Sequence, residues 1–185
     1  MSQLSRDDIL NKIRAGESLA GVDLTGADLS YETFKGANLA GVDLTEARLQ
    51  NSNFEGANFT GAKLTRAFMF GANLYKAVLD EADCEETNLQ DSNLDGASIQ
   101  NANLHHVALL GSTMDNANLN GSNLSRARLK RASLRNASLE NTNLENAHLV
   151  RTDCTNATFR GSNLTEANFT NAVTDGTNFE GTQGF

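Results

Sequence analysis

Apolar residues recur at every fifth position of this chain, from Leu19 to Phe179. These 33 positions, which we call the central residues, hold 21 Leu, six Phe, two Met, two Cys, Ile99 and Thr174. Two residues before each of them the side chain is small in nearly every repeat: 19 Ala, five Ser, four Thr and three Val, with Glu in the other two. A period of five fits neither an α-helix, at about 3.6, nor a β-strand, at about 2. The pattern therefore predicts a coil that turns in every pentapeptide and buries one large and one small side chain each time.

Turn-forming residues fill the positions between the apolar ones. Asn or Asp stands directly before the central residue in 18 of the 33 repeats, and Gly or Asn is frequent two residues after it. These residue types form tight turns and tolerate left-handed backbone angles. We therefore expect a corner in each pentapeptide.

The repeated motifs GADLS, GANLA, GANFT, NANLN and EANFT follow an A(D/N)LxX pattern. The chain thereby resembles the pentapeptide-repeat family over residues 17–181. The resemblance implies an all-β fold, a right-handed quadrilateral parallel β-helix in which four pentapeptides form each coil of the solenoid. The length of the repeat then corresponds to about eight coils, preceded by an N-terminal capping segment at residues 1–16 and followed by a tail at 182–185.

Both ends of such a solenoid need a cover. Ser5 and Asp8 resemble a capping box and Gly16 is a stop signal, so the sequence predicts a helix over residues 6–14 that lies on the first coil. At the other end Thr174 interrupts the central residues. We expect either that Phe185 folds over the last coil or that a second chain covers it.

Charge and composition narrow the function. The net charge of -8, from 23 acids and 15 bases, disfavours direct binding of nucleic acid or of an anionic membrane. No long apolar segment or leader is apparent, so we expect a cytoplasmic protein. Cys84 and Cys154 are central residues on different sides of the solenoid and are expected to be buried and unpaired. The sequence contains no catalytic motif, and it predicts no enzyme, cofactor or metal site.

Large apolar side chains outside the interior are concentrated on one side. Four pentapeptides per coil stack residues that are 20 positions apart, so Met69 shares one side of the solenoid with Leu89, Leu109 and Leu129. The outward apolar residues on that side are Phe68, Phe70, Ala108, Leu110 and Val150. Cations at the edge of this group are Arg128, Lys130, Arg131 and Arg151. Exposed apolar patches mark interaction sites. We interpret the group as a docking surface for a protein, either a second copy or a different chain; the alternative is that Phe68 and Phe70 only shield a distorted coil.

An acidic belt offers a second interpretation. Residues 77–124 contain eight acids and no Lys or Arg, and the densest part comprises Asp80, Glu81, Asp83, Glu85 and Glu86. The family resemblance implies one candidate role, because some members bind DNA gyrase or topoisomerase IV by imitating duplex DNA. Three features count against this role here: no loop interrupts the repeat, residues 126–135 are basic, and the carboxyl end has no obvious dimerising segment. Sequestering, chaperone-like and bacterial regulatory roles stay open within the first interpretation.

Overall fold

The computed structural model describes residues 4–184, and its one α-helix, α1, spans Arg6–Arg14 as the sequence predicts. The capping box is present: the Ser5 hydroxyl accepts a hydrogen bond from the Asp8 amide at 3.2 Å, and the Asp8 carboxylate accepts one from the Ser5 amide at 3.1 Å. Ile9 and Leu10 are buried on the inner side of α1. Arg6 donates to the backbone carbonyl of Asp28 at 2.8 Å, so the helix is tied to the first coil.

The remainder of the chain is a β-helix built from single-residue bridges. Each bridge is parallel and joins residues 20 positions apart, from Asp23 with Asp43 to Asn163 with Gln183. One bridge occurs in every pentapeptide, so a coil has four bridged positions and four sides. The expected repeat solenoid is confirmed, although the extended segment on each side is a single bridge residue rather than a longer strand.

Backbone hydrogen bonds connect each coil to both neighbours. Leu104 donates its amide hydrogen to the carbonyl of Asn123 at 2.8 Å, and Asn103 donates to the carbonyl of Ala82 at 2.9 Å. Between these bonds the chain turns through a bond from the Val107 amide to the Leu104 carbonyl at 3.2 Å. The third residue of this turn, His106, has a φ of 58°. The expected corner is therefore a β-turn with one left-handed residue.

Central residues fill the interior and are 0–2% exposed from Leu19 to Leu164. The smaller inward side chains include buried hydroxyls that donate to backbone carbonyls, some in the coil before and some in their own coil. Thr87 donates to Leu64 at 2.7 Å and Thr152 to Leu129 at 2.8 Å in the coil before, whereas Ser112 donates to Leu109 at 2.8 Å in its own coil. This explains why Ser and Thr can replace Ala at the inward small position, because a buried hydroxyl must be hydrogen-bonded.

The last coil is less covered than the others. Phe169 and Phe179 are partly buried and stack around Phe159, while Thr174 is exposed. The predicted role of Phe185 lies outside the described residues.

The two cysteines are free and buried, as expected. Burial raises the pKa of each thiol to about 12, and the adjacent carboxylates of Asp83 and Asp153 add to the effect. Such thiols stay protonated and unreactive near neutral pH. Over residues 4–184, no helix has the length and apolar character needed to cross a bilayer.

Candidate protein-binding face

One side of the solenoid carries most of the predicted binding residues, and we call it the Met69 face. It is formed by eight stacked segments: 26–31, 46–51, 66–71, 86–91, 106–111, 126–131, 146–151 and 166–171. Consecutive segments are linked by the bridge residues Phe68, Asn88, Ala108 and Arg128. Residues 20 positions apart therefore form columns along the rod, with a spacing of about 4.8 Å between coils.

Two Phe rings project from the middle of this face, and Tyr31, which is 73% exposed, stands at its corner. Phe68 is 49% exposed and Phe70 is 43% exposed, on either side of the inward Met69, which is 0% exposed. Leu110 and Val150 are half-buried in the same column as Phe70. These four side chains have the outward orientation that the sequence predicts. Phe70, Leu110 and Val150 form an interrupted apolar column, and Phe68 lies in the column beside it.

Ala108 does not contribute exposed surface, and its predicted outward role was wrong. It is 3% exposed, because it bridges Asn88 and Arg128 in the coils on either side and its methyl group is shorter than both neighbouring side chains. An alanine in the middle of such a column lies below the surface that its neighbours define.

The predicted cations are free to meet a partner. The following are exposed and, within residues 4–184, make no side-chain hydrogen bond or ion pair: Arg128, Lys130, Arg131 and Arg151. Arg66, on the same face, differs from them because its guanidinium donates to the Glu46 carboxylate at 2.7 Å. The basic part of the face is therefore not neutralised from within the chain.

Shallow depressions run along the edges of the Met69 face. One lies beside Phe68 and is lined by Asp28, Glu46, Arg48 and Arg66. Two more lie toward the basic end. The first has Gln90, Asp91, Leu110, Gly111, Lys130 and Arg131 around it. The second has His106, Arg126, Arg128, Asn146, His148 and Glu166.

The acidic belt is less available than its sequence indicates. Asp80 accepts hydrogen bonds from the Ser98 hydroxyl at 2.7 Å and from the Gln100 amide at 2.9 Å. Asp83 accepts from Thr65 at 3.0 Å and from Asn103 at 2.9 Å, and Glu85 also accepts from Asn103. Asp80, Asp83 and Glu85 are half-buried, whereas Glu81 and Glu86 are exposed. Much of the belt therefore stabilises the stacking of neighbouring coils.

Sequence reasoning did not assign Glu86, Asp91 or Arg126 to this face, and it did not match Arg131 with an acid. Arg126 stands at the same corner column as Glu86, and Arg131 stands at the same corner column as Asp91, in each case two coils away. These columns of acids and bases become visible in the sequence when the charged residues, and not only the apolar ones, are aligned at 20-residue intervals. Among residues 4–184, no three His, Cys, Asp or Glu side chains lie close enough together to hold a metal ion.

Known proteins with a similar sequence or structure are pentapeptide repeat proteins. The sequence profile of pentapeptide repeats matches in eight copies between residues 18 and 183. HetL, a pentapeptide repeat protein involved in heterocyst differentiation regulation in the cyanobacterium Nostoc, is 27% identical; the match covers 97% of this chain and 96% of HetL, with a TM-score of 0.41. QnrB1, a plasmid-mediated fluoroquinolone resistance protein, is 16% identical over 88% of this chain and 89% of its own, with a TM-score of 0.56, and this likeness shows a shared fold. No curated protein sequence matches the chain significantly.

Proposed function

Because the chain belongs to the pentapeptide-repeat family, whose matched profile indicates no class of enzyme, we propose that it is a non-catalytic protein-interaction module that docks a protein on the Met69 face. The observation that carries the proposal is the exposed pair Phe68 and Phe70, which stand together on one coil, whereas the other large apolar side chains exposed in the described residues stand singly: Tyr31, Tyr75 and Val173. A narrow rod with a filled interior has little concave surface for catalysis, whereas its flat sides suit docking.

The exposed aromatic surface is large enough to decide whether a contact forms. A Phe side chain buries roughly 200 Å², so exposures of 49% and 43% leave roughly 180 Å² for the two rings together. At about 25 cal/mol per Å², covering this area stabilises a complex by about 4 kcal/mol before association costs. The two rings are suitable anchors for the centre of an interface.

The cations supply orientation. Arg128, Lys130 and Arg131 lie on segment 126–131, one coil beyond Leu110, and none of them has a counter-ion among residues 4–184. Exposed charges at the edge of an interface raise the association rate and fix the register more than they raise affinity.

The proposal includes a cytoplasmic location and a right-handed winding of the solenoid, which is the hand favoured for parallel crossovers.

The test compares binding by the wild type and by a variant carrying Phe68→Asp and Phe70→Asp. Proteins captured from the native lysate should be lost with this variant while its thermal melt is retained. Tyr75→Asp is the matched control, because Tyr75 is also an exposed aromatic, at 37%, but lies on the next side of the solenoid. Retention of every captured protein by the double variant would show that the binding face is elsewhere, and unfolding of the variant would show that the rings are structural.

A second candidate, imitation of DNA toward gyrase or topoisomerase IV, is favoured by the net charge of -8 and by the exposed Glu81 and Glu86. In a supercoiling assay the protein would inhibit the enzyme or protect it from a quinolone, and Glu81→Gln with Glu86→Gln would abolish the effect. The carboxylates of Asp80 and Asp83 weaken this candidate because both are engaged in hydrogen bonds. No effect of micromolar protein on supercoiling or on quinolone-stabilised cleavage would eliminate it.

A further inference from the structure

We infer that the partner of the Met69 face is a second copy of this chain, docked face to face and antiparallel about a two-fold axis that crosses segment 106–111. The inference rests on the proposed function, because it assigns the occupant of the same face. The evidence for the dimer is the order in which charged and apolar residues follow one another along the columns of that face.

The symmetry dictates which residues meet. A two-fold axis that lies in the interface, parallel to the extended segments, reverses the direction of the rod but keeps each column opposite itself. Segment 106–111 then faces its own copy, segment 86–91 faces segment 126–131, and segment 66–71 faces segment 146–151. Such an isologous contact uses the same patch on both chains.

Opposite charges meet at both edges of the face in this arrangement. Glu86 lies opposite Arg126 of the second copy in one corner column, and Asp91 lies opposite Arg131 in the other. By symmetry each pairing occurs twice. The four side chains concerned are exposed and have no internal partner among the described residues: Glu86, Asp91, Arg126 and Arg131.

Apolar residues meet along the middle of the face. Phe70 lies opposite Val150 of the second copy, and Leu110 at the axis lies opposite its own equivalent. Phe68 lies opposite His148, which is exposed and offers a flat ring for stacking. In the same two columns Arg128 and Lys130 lie opposite Asn88 and Gln90 of the second copy, so polar pairs alternate with apolar ones between the two charged edges.

Other arrangements of the same face lose this complementarity. Parallel rods would place Glu86 against Asp91 and Arg126 against Arg131. An antiparallel pair centred one coil earlier, on segment 86–91, would place Glu86 and Asp91 against their own copies, and one centred one coil later would do the same to Arg126 and Arg131. Like charges in contact disfavour all three.

The like-charge contact in the inferred register is at its margin. Glu46 lies opposite Glu166 of the second copy, but Glu46 already accepts a hydrogen bond from Arg66 at 2.7 Å. Seven coils at about 4.8 Å and a side about 16 Å wide give a total buried area of roughly 1,100 Å² for the pair. This is near the lower limit for a specific complex, so we expect a dissociation constant on the order of micromolar that increases with salt.

The experiment measures mass by sedimentation equilibrium or light scattering of the full chain. Wild type should dimerise between micromolar and about 100 μM, whereas two charge-reversed variants should each be monomeric, with the dissociation constant raised at least about a hundredfold. The first variant carries Glu86→Arg and Asp91→Arg, and the second carries Arg126→Glu and Arg131→Glu. An equimolar mixture of the two should form a heterodimer, because each reversed pair is then complementary again.

The control variant carries Glu81→Arg and Glu145→Arg, which reverse two exposed acids that face no charge in the inferred contact, and it should dimerise like wild type. A monomeric wild type at about 100 μM, or reversed variants that remain dimeric, would overturn the inference. Failure of the mixture to associate would overturn the register. None of these outcomes affects capture of a different protein by Phe68 and Phe70, so failure of the dimer and failure of the proposed function are distinguishable.

Discussion

Truncation of one central residue in the middle of the rod should cost a calculable part of the stability. Leu104 is 2% exposed, and its column neighbours in the adjacent coils are Cys84 and Leu124, both 0% exposed. Leu104→Ala removes three carbon atoms, worth about 2.4 kcal/mol at about 0.8 kcal/mol each, and the cavity between the two neighbours adds to this. We expect the free energy of unfolding to fall by about 3 to 4 kcal/mol.

Denaturant titration followed by circular dichroism measures this loss, and a thermal melt should show a fall in Tm of roughly 6 to 16 °C for a chain of this size. Leu104→Asp should prevent cooperative folding, because it buries an unpaired carboxylate. Lys130→Ala is the control, since Lys130 is exposed and without partners in the described residues, and it should change the free energy of unfolding by less than about 0.5 kcal/mol. Equal losses for Leu104→Ala and Lys130→Ala would refute the assigned register.

Three further outcomes follow from buried or hydrogen-bonded groups. Cys84 and Cys154 should not react with a thiol reagent in the native protein and should both react in denaturant, because burial holds each pKa at about 12. Gln50→Met should raise the free energy of unfolding by about 1 kcal/mol in urea titration, since the buried Oε1 of Gln50 has no hydrogen-bond partner. Hydrogen bonds from Thr155 lower the pKa of Asp153 in the folded state, against the opposing effect of burial, so their contribution is present above the unfolded pKa of about 4 and is lost as pH falls through the folded value. The urea midpoints at about pH 7 and about pH 3 should therefore lie closer together in Thr155→Val, which removes the side-chain bond, than in wild type, and an equal separation in the two proteins would contradict this reasoning.

Period, core and N-terminal helix were predictable because each depends on local chemistry that the sequence displays directly. Ser5 and Asp8 cap α1 through groups only three residues apart, and the central residues are buried because their spacing equals that of the corners. The repeat runs without insertions, so the same position of every pentapeptide must face the interior. Any other choice of inward position would bury polar side chains in many repeats. Thr174 is the clear exception, and it is exposed in the last coil.

Exposure within the outward columns was not predictable from the pattern alone. Ala108 and Phe68 occupy the same position of the repeat, yet one is 3% exposed and the other 49%. The difference depends on side-chain length relative to the residues 20 positions away, which the five-residue pattern does not contain. The partial engagement of Asp80 and Asp83 has the same origin, since their donors come from neighbouring coils.

The corner residues show where the sequence departs from what the fold needs. A left-handed corner is adopted most easily by Gly or Asn, and the backbone there has φ of 57° at Arg126, 62° at Arg131 and 55° at Glu86. Arg and Glu at these corners are less favourable than Gly for the isolated solenoid, so local folding does not explain their presence. Charged residues also stand at corners away from the Met69 face, Lys76 among them, so the corner alone does not identify the contact. What the inferred two-fold axis adds is a counter-charge for Glu86 and Arg126, both of which are exposed. Glu81 is at an equivalent corner, with a φ of 61°, but on the adjacent side of the rod, so its reversal separates the effect of a charge at any corner from the effect of a charge on the Met69 face.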